Sequence, residues 1–270
     1  GTLSIPANNG EDVYLDASQL TATITSATGG NFENLVIGTG TATAKVTDTI
    51  DPVTVDLSAS SVTEGASAAY LFTATLSSAS QGTTTIVTDK GTITIADGQT
   101  VGTLSIPANN GEDVYLDASS LTANITSATG GNFENLVVGT ASATASVTDT
   151  IDVVTATLTA STSTISETGG SIIYTVTLTG SPGPVAPISN LSFALASGHT
   201  VIIPVGQTNG SVTVNYADAD ITNQVAFTNA IQSVSGSAQY ENLKTSGTTN
   251  VAVDYLPKVT DAVSNLIVDE

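Results

Sequence analysis

Over 270 residues the chain carries 24 acids against four lysines and no arginine, a formal net charge of −20. A surface of that sign repels nucleic acid and anionic membranes and attracts cations. Without cysteine there are no disulfides or thiolate ligands, and no run approaches the length of a membrane span or reads as a secretory leader.

Residues 1–51 recur almost unchanged as residues 102–152, differing only at Gln19/Ser120, Thr23/Asn124, Ile37/Val138, Gly40/Ala141, Thr41/Ser142 and Lys45/Ser146. A diverged copy follows. "GQTVGTLSI" (98–106) answers to "GQTNGSVTV" (206–214), "NFENL" (132–136) to "QYENL" (239–243), and "VTEGASAAYLFTATL" (62–76) to "ISETGGSIIYTVTL" (165–178). A period of this length decides the architecture before any local feature does. The chain divides into the C-terminal part of one repeat (1–52), a complete repeat (53–153), a diverged repeat (154–256), and a linker or start of a next segment (257–270). Beginning part-way through a repeat, it reads as a piece of a longer array.

The elements of the complete repeat are short runs of alternating β-branched and small residues, broken by Gly, Asn, Asp and Ser. In chain order they predict strands A "VTVDLSA" (53–59), B "AAYLFTATLS" (68–77), C "TTTIVT" (83–88), D "TITIA" (92–96), E "GTLSIPA" (102–108), F "LTANITSA" (121–128) and G "SATASVTD" (142–149). Alternation puts Tyr70, Phe72, Ala74 and Leu76 on one face of B, Leu104 and Ile106 inward on E, and Leu121, Ala123 and Ile125 inward on F. No stretch keeps a helical apolar period. The pattern predicts an all-β chain of tandem immunoglobulin-like antiparallel β-sandwich domains arranged as a rod, without the Cys–Trp–Cys core of antibody domains.

In such a sandwich the A–B, C–D and E–F loops share one pole with the exit of strand G. That pole collects Glu64 (A–B), Asp89 (C–D), Glu112, Asp113 and Asp117 (E–F), and Asp149 and Asp152 (the exit "VTDTID"). The E–F run "NNGEDVYLDAS" (109–119) is a second copy of residues 8–18, so Glu11, Asp12, Asp16, Asp48 and Asp51 stand in the same roles one repeat earlier. Like charges at about 4 Å repel by ~1 kcal/mol in water and by more when partly buried. A hard cation relieves this. Calcium takes carboxylate, amide and carbonyl oxygens, and a set without sulfur or nitrogen argues against zinc or copper. Such an ion would fix the angle between repeats. Glu134 and Asn135 of "FENL", placed in the F–G loop at the opposite pole, would complete the preceding site across the junction. The alternative stays open: Asp, Asn and Gly suit turns for backbone reasons alone, and Tyr14 and Tyr115, near the start of strand F, read as corner tyrosines that hold the loop.

Catalytic motifs are missing. His199 is the only histidine, and without cysteine or a second histidine no nucleophile–base pair assembles, so the chain is not expected to be an enzyme. "GTG" (38–40) lacks the βαβ setting of a dinucleotide site.

The stretches "SSVTEGASAAYLFTATLS", "IADGQTVGTLSIPA" and "NFENLVVGTASATASVTDTID" resemble the tandem extender repeats of giant RTX-type, type I-secreted biofilm adhesins of bacteria. The "VTEG" glutamate and the "TDTID" exit also resemble the Calx-beta pattern, in which a glutamate of the A–B loop and aspartates at the end of strand G bind calcium. The resemblance implies calcium at domain junctions, carried by Glu64, Asp149 and Asp152, and by Asp48 and Asp51 one junction earlier. The third repeat keeps Glu167 in "SETGG" and offers Asp218 and Asp220 in "NYADADITNQ", while Asp254 and Asp261 are displaced by a Leu-Pro-Lys insert. The implied role is a structural spacer on the bacterial cell surface, extracellular, holding a ligand-binding region away from the cell. Its partners would be neighbouring repeats and, through regions outside this chain, a host, surface or matrix ligand, with neither nucleic acid nor membrane insertion. Two other readings remain: a polymerising filament or surface-layer subunit completed by strand exchange, and a third repeat that binds a glycan or a protein.

Overall fold

The computed structural model describes residues 1–255; the segment 257–270 and Asp261 lie outside the described residues. The chain separates into two compact units. One comprises Gly1–Thr63, Ser67–Asn109 and Ser119–Thr148; the other comprises Glu64–Ala66, Asn110–Ala118 and the chain from Asp149 onward. The acid-bearing A–B and E–F loops of the middle repeat therefore belong to the same unit as the third repeat, while the C–D loop with Asp89 stays in the first unit.

In the first unit, β1 (Ser18–Thr23) and β2 (Thr41–Val46) pair as an antiparallel two-stranded sheet. The sandwich follows with β3 (Pro52–Ser60), β4 (Val62–Thr63), β5 (Ala69–Leu76), β6 (Thr84–Thr88), β7 (Gly91–Ile95), β8 (Val101–Pro107), β9 (Ser119–Gly130), β10 (Asn135–Val138) and β11 (Ser142–Thr148). Its sheets run β10-β3-β5-β8 and β4-β11-β9-β6-β7. The seven expected strands A–G are β3, β5, β6, β7, β8, β9 and β11. Tyr70, Phe72, Ala74 and Leu76 are buried together with Val53, Val55, Ile86, Ile93, Ile95 and Ala123, the face that alternation assigns.

Two strands go beyond the sequence reading. Val62–Thr63 pairs in parallel with β11, and Asn135–Val138 pairs in parallel with β3. Asn135 is thus a strand residue rather than a loop residue. The run Leu136-Val137-Val138 is apolar and ends in two β-branched valines, and pairing it with β3 covers an edge that would otherwise present open hydrogen-bonding groups.

The second unit repeats the plan with β12 (Val153–Ala160), β13 (Thr164–Ser166), β14 (Gly169–Thr179), β15 (Leu191–Leu195), β16 (Thr200–Ile203), β17 (Asn209–Ala217), the short helix α1 (Asp218–Ile221), β18 (Ala226–Ser235), β19 (Asn242–Ser246) and β20 (Thr248–Asp254). The sheets are β17-β14-β12-β19 and β13-β20-β18-β15-β16. Both units are immunoglobulin-like sandwiches of mainly antiparallel strands. The helix falls in "NYADADITNQ", where the sequence reading had only a loop. Asp220 Oδ2 accepts the Ala217 N–H at 2.9 Å, and this cap closes one helical turn. Among the described residues no helix is long and apolar enough to cross a membrane.

Candidate metal centre

Three chain segments meet in the second unit: the turn at Glu64–Ala66, the loop Asn110–Ala118, and the stretch Asp149–Asp152 that leaves β11. Asn109 opens the loop at φ 55°, a left-handed conformation that asparagine tolerates better than most residues. Asn110 Nδ2 then donates to the Asp117 carbonyl at 3.1 Å and ties the loop's ends together. The turn joins the loop through Gly65 N–H, which donates to the Asn110 carbonyl at 3.1 Å.

Glu64 is the pivot. Its side chain is only 6 % exposed. Oε1 accepts from Thr150 N–H at 2.8 Å and from the Thr150 hydroxyl at 3.1 Å, while Oε2 is buried without a hydrogen-bond partner. Carboxylate oxygens of Glu64, Asp113 and Glu241 lie within 4.8 Å of one another, as do those of Glu64, Asp117 and Asp149. Asp152 closes the group: its N–H donates to Glu241 Oε2 at 2.5 Å, and its Oδ2 accepts from the Thr150 hydroxyl at 3.3 Å. That hydroxyl also lies 2.6 Å from Glu112 Oε1.

The electrostatics are those of crowded carboxylates losing water. Desolvation, then Glu64 and Asp152 nearby, push the Glu241 carboxyl up to about 7, against a lowering hydrogen bond from Asp152 N–H. Desolvation also raises Asp117, with Asp113 and Asp149 adding to it. Four buried oxygens have no donor: Glu64 Oε2, Asn110 Oδ1, Asp149 Oδ1 and Glu241 Oε1. An unmatched buried acceptor costs about 1–3 kcal/mol, more when charged. All four are oxygens. Two ligands on opposite sides of an ion with bonds of about 2.3–2.6 Å stand about 5 Å apart at most. The donor set and its spacing therefore fit a hard divalent cation.

The first unit holds a second cluster of the same pattern. Asp16 N–H and Ala17 N–H donate to Asp48 Oδ2 at 3.1 and 2.9 Å, Asp51 N–H donates to Glu134 Oε2 at 2.8 Å, and the Thr49 hydroxyl donates to Glu11 Oε1. Tyr14 N–H donates to Asp12 Oδ1 at 2.8 Å, as Tyr115 N–H does to Asp113 Oδ1 at 2.7 Å. Asn9 Oδ1 is buried without a partner. Desolvation, then Asp12 and Asp48, raise the Asp16 carboxyl. This cluster has no counterpart of Glu64 within the chain.

Asp89 serves a local purpose. Its carboxylate accepts from Asn124 N–H at 2.7 Å and from Lys90 Nζ at 3.0 Å. In the third repeat, Ser166 pairs with Asp254 as Thr63 pairs with Thr148. By register Asp254 therefore holds the position that Thr148 has in the middle repeat, and Tyr255 the position of Asp149. Tyr255 Oη donates to the carbonyls of Ile221 and Gln224 at 3.2 and 2.7 Å. Asp218 starts α1 and Asp220 caps it, while Glu167 N–H donates to the Asp254 carbonyl at 3.1 Å. Two members of the centre were missed in the sequence. Glu241 stands in "QYENL" where Glu134 stands in "NFENL", and Asn110 is the second residue of the repeated "NN".

These sandwiches, with acids gathered at loop ends, define a protein of tandem immunoglobulin-like repeats. The chain belongs to the LapA-domain family, whose model matches residues 1–49, 51–150 and 152–255. No curated protein sequence matches it. Among solved structures it is similar to the tetra-tandem repeat in the extending region of a large adhesion protein, at 16 % identity and a TM-score of 0.35, over 75 % of this chain and 49 % of that one. The chain thus spans about half the length of that structure. It is also similar to the I9–I11 tandem of titin, at 13 % identity and a TM-score of 0.22, over 82 % of this chain and 72 % of that one.

Proposed function

We propose that the chain is an extender segment of a bacterial cell-surface adhesin. Its repeats, bounded at 1–52, 53–153 and 154–256, are stiffened by calcium and carry a ligand-binding region away from the cell for adhesion or biofilm formation. Membership of the LapA-domain family and the near-identical tandem copies support the spacer role. The observation that carries the calcium reading is Glu64: a buried carboxylate with an unpartnered oxygen, common to both carboxylate triads. The ligands are Glu64, Asp113, Asp117, Asp149, Asp152 and Glu241, with Asp12, Asp16, Asp48, Asp51 and Glu134 at the preceding cluster. In this reading the ion ties the loops of one repeat to Glu241 of the next. Dissociation constants on the order of 0.1–1 mM suit an extracellular module. At ten to a hundred times that concentration each ion adds ~1.4–2.7 kcal/mol to folding.

The test is a thermal melt in EDTA and across a calcium titration, with magnesium as control and Glu64→Gln beside the wild type. A calcium-specific rise in melting temperature that Glu64→Gln removes, with the variant equal to wild type or more stable in EDTA, is expected. A wild type indifferent to calcium would leave the acids as solvated turns and sink the reading.

A further inference from the structure

The acidic loop carries more than acids. Between Asp113 and Asp117 stand Val114, Tyr115 and Leu116. Val114 is 0 % exposed and belongs to the core of the second unit, alongside Val154, Tyr174, Leu191 and Phe193 of the third repeat. Its carbonyl accepts from Glu241 N–H at 3.2 Å, and Leu116 N–H donates to the Gln239 carbonyl at 3.0 Å, which makes Tyr115 and Tyr240 an antiparallel bridge. The two rings stack with centroids 5.6 Å apart. Tyr115 Oη donates to the Ala186 carbonyl at 2.5 Å. A corner tyrosine would bond back within its own repeat; this one reaches into the next.

The first unit repeats the arrangement with different neighbours. Val13 and Tyr14 pack against the core of the middle repeat. The Val13 carbonyl accepts from Glu134 N–H, Leu15 N–H donates to the Asn132 carbonyl, Tyr14 stacks on Phe133 at 5.7 Å, and Tyr14 Oη donates to the Ala79 carbonyl at 2.7 Å. The receiving ring differs between the repeats, Phe133 against Tyr240, while an alanine carbonyl, Ala79 or Ala186, accepts the tyrosine hydroxyl in both, and the geometry is kept.

We propose that the Val-Tyr pair of this loop is a plug that completes the hydrophobic core of the repeat following it, and that the pole receiving it is a docking surface for such a segment. No carboxylate takes part in these contacts, so the plug holds without metal, and the proposal does not rest on the calcium reading. The plug also sets Asp113 and Glu241 on neighbouring backbone positions of one bridge.

The test is hydrogen exchange on the whole chain, in EDTA and in calcium, for wild type, Val114→Ala and Tyr115→Phe. Val114→Ala is expected to lower amide protection about tenfold in β14 and β15, elements of a repeat to which residue 114 does not belong in sequence, and to leave β5 unchanged. The loss should be the same with and without calcium. Tyr115→Phe, which keeps the ring and the fold, should give a smaller loss in the same strands. A loss confined to residues 110–118, a loss in β5, or a loss seen only in calcium would overturn the proposal. Should Val114→Ala not fold, unchanged protection of β14 and β15 in Tyr115→Phe would overturn it as well.

Discussion

The loop Asn110–Ala118 and the loop that begins at Asp218 join corresponding strands of consecutive repeats, β8 to β9 and β17 to β18, and they spend their apolar residues in opposite ways. The first lends Val114 and Tyr115 to another repeat's core and leaves its acids clustered around Glu64. The second turns into α1, buries Ile221 at 0 % exposure against β14 and β17, and uses Asp220 as a cap. Tyr255, standing where the middle repeat has Asp149, ties down the helix end through the Ile221 and Gln224 carbonyls. One framework thus supports a pole that lends and a pole that keeps, and a few loop residues decide which. At the pole that keeps, the apolar residue of the loop stays in its own repeat's core and Asp220 is engaged in the cap of α1.

The largest effect that tests this contrast is Ile221→Ala. It removes a fully buried side chain from a well-packed site and should cost about 2–5 kcal/mol. Because the loss concerns a self-contained pole, calorimetry should show the same fall in the second unit's transition in EDTA and in calcium, with the first unit's transition unmoved. A calcium-dependent loss would erase the distinction between the two loops.

A smaller effect sharpens it from the side of the acids. In the metal-free chain the Glu241 carboxyl is raised from 4.5 to about 7, chiefly by desolvation. A group whose folded pKa lies above its unfolded one stabilises the fold below the unfolded pKa, and that contribution is lost as pH rises through the folded value. In EDTA the second unit should therefore melt several degrees lower at pH 8 than at pH 5. Glu241→Gln, which cannot ionise and still accepts from Asp152 N–H, should flatten much of that slope. Asp117 is raised for the same reasons and keeps part of it. An unchanged slope in Glu241→Gln would mean that the crowding of carboxylates at this pole is not what governs its stability.

The sandwich was legible because each strand alternates cleanly: the residues assigned inward on β5 are the ones that fill the core. The meeting of Glu64, Asp113, Asp117 and Asp149 was legible too, since loops at one pole of a known topology must converge. What the sequence hid depends on direction and register. Val114 and Ile221 are both single apolar residues in polar loops, and nothing local says that one points out of its repeat and the other into it. The exit "VAVDYLPK" shows that its acids are displaced by an insert but not which residue takes the place of Asp149; the pairing of β13 with β20 gives that place to Tyr255. Asn135–Val138 read as loop because its only pairing is a long-range parallel one. Glu241 lay in plain view opposite Glu134 but sits in a repeat whose other acids had drifted.

The smallest expected effect belongs to Asp89, and it separates an acid that builds the fold from the acids gathered at Glu64. Asp89 and Asn124 bond reciprocally: Asp89 N–H donates to the Asn124 carbonyl at 3.0 Å, and Asn124 N–H donates back to Asp89 Oδ1 at 2.7 Å. They do so where the register of β6 against β9 shifts, after Val87. The Asn124 N–H, then Lys90, hold the Asp89 carboxyl down at about 2. With the folded pKa below the unfolded one, its contribution is present above the unfolded value of 3.8 and lost as pH falls through about 2. Asp89 is exposed, so solvent screens the ion pair with Lys90 and little of the shift survives as stability. Asp89→Asn should lower the first unit's melting temperature slightly at pH 7, by less at pH 2, and leave the calcium response of both units unchanged. A weakened calcium response in this variant would return Asp89 to the ligand set and blur the line between the two kinds of acid.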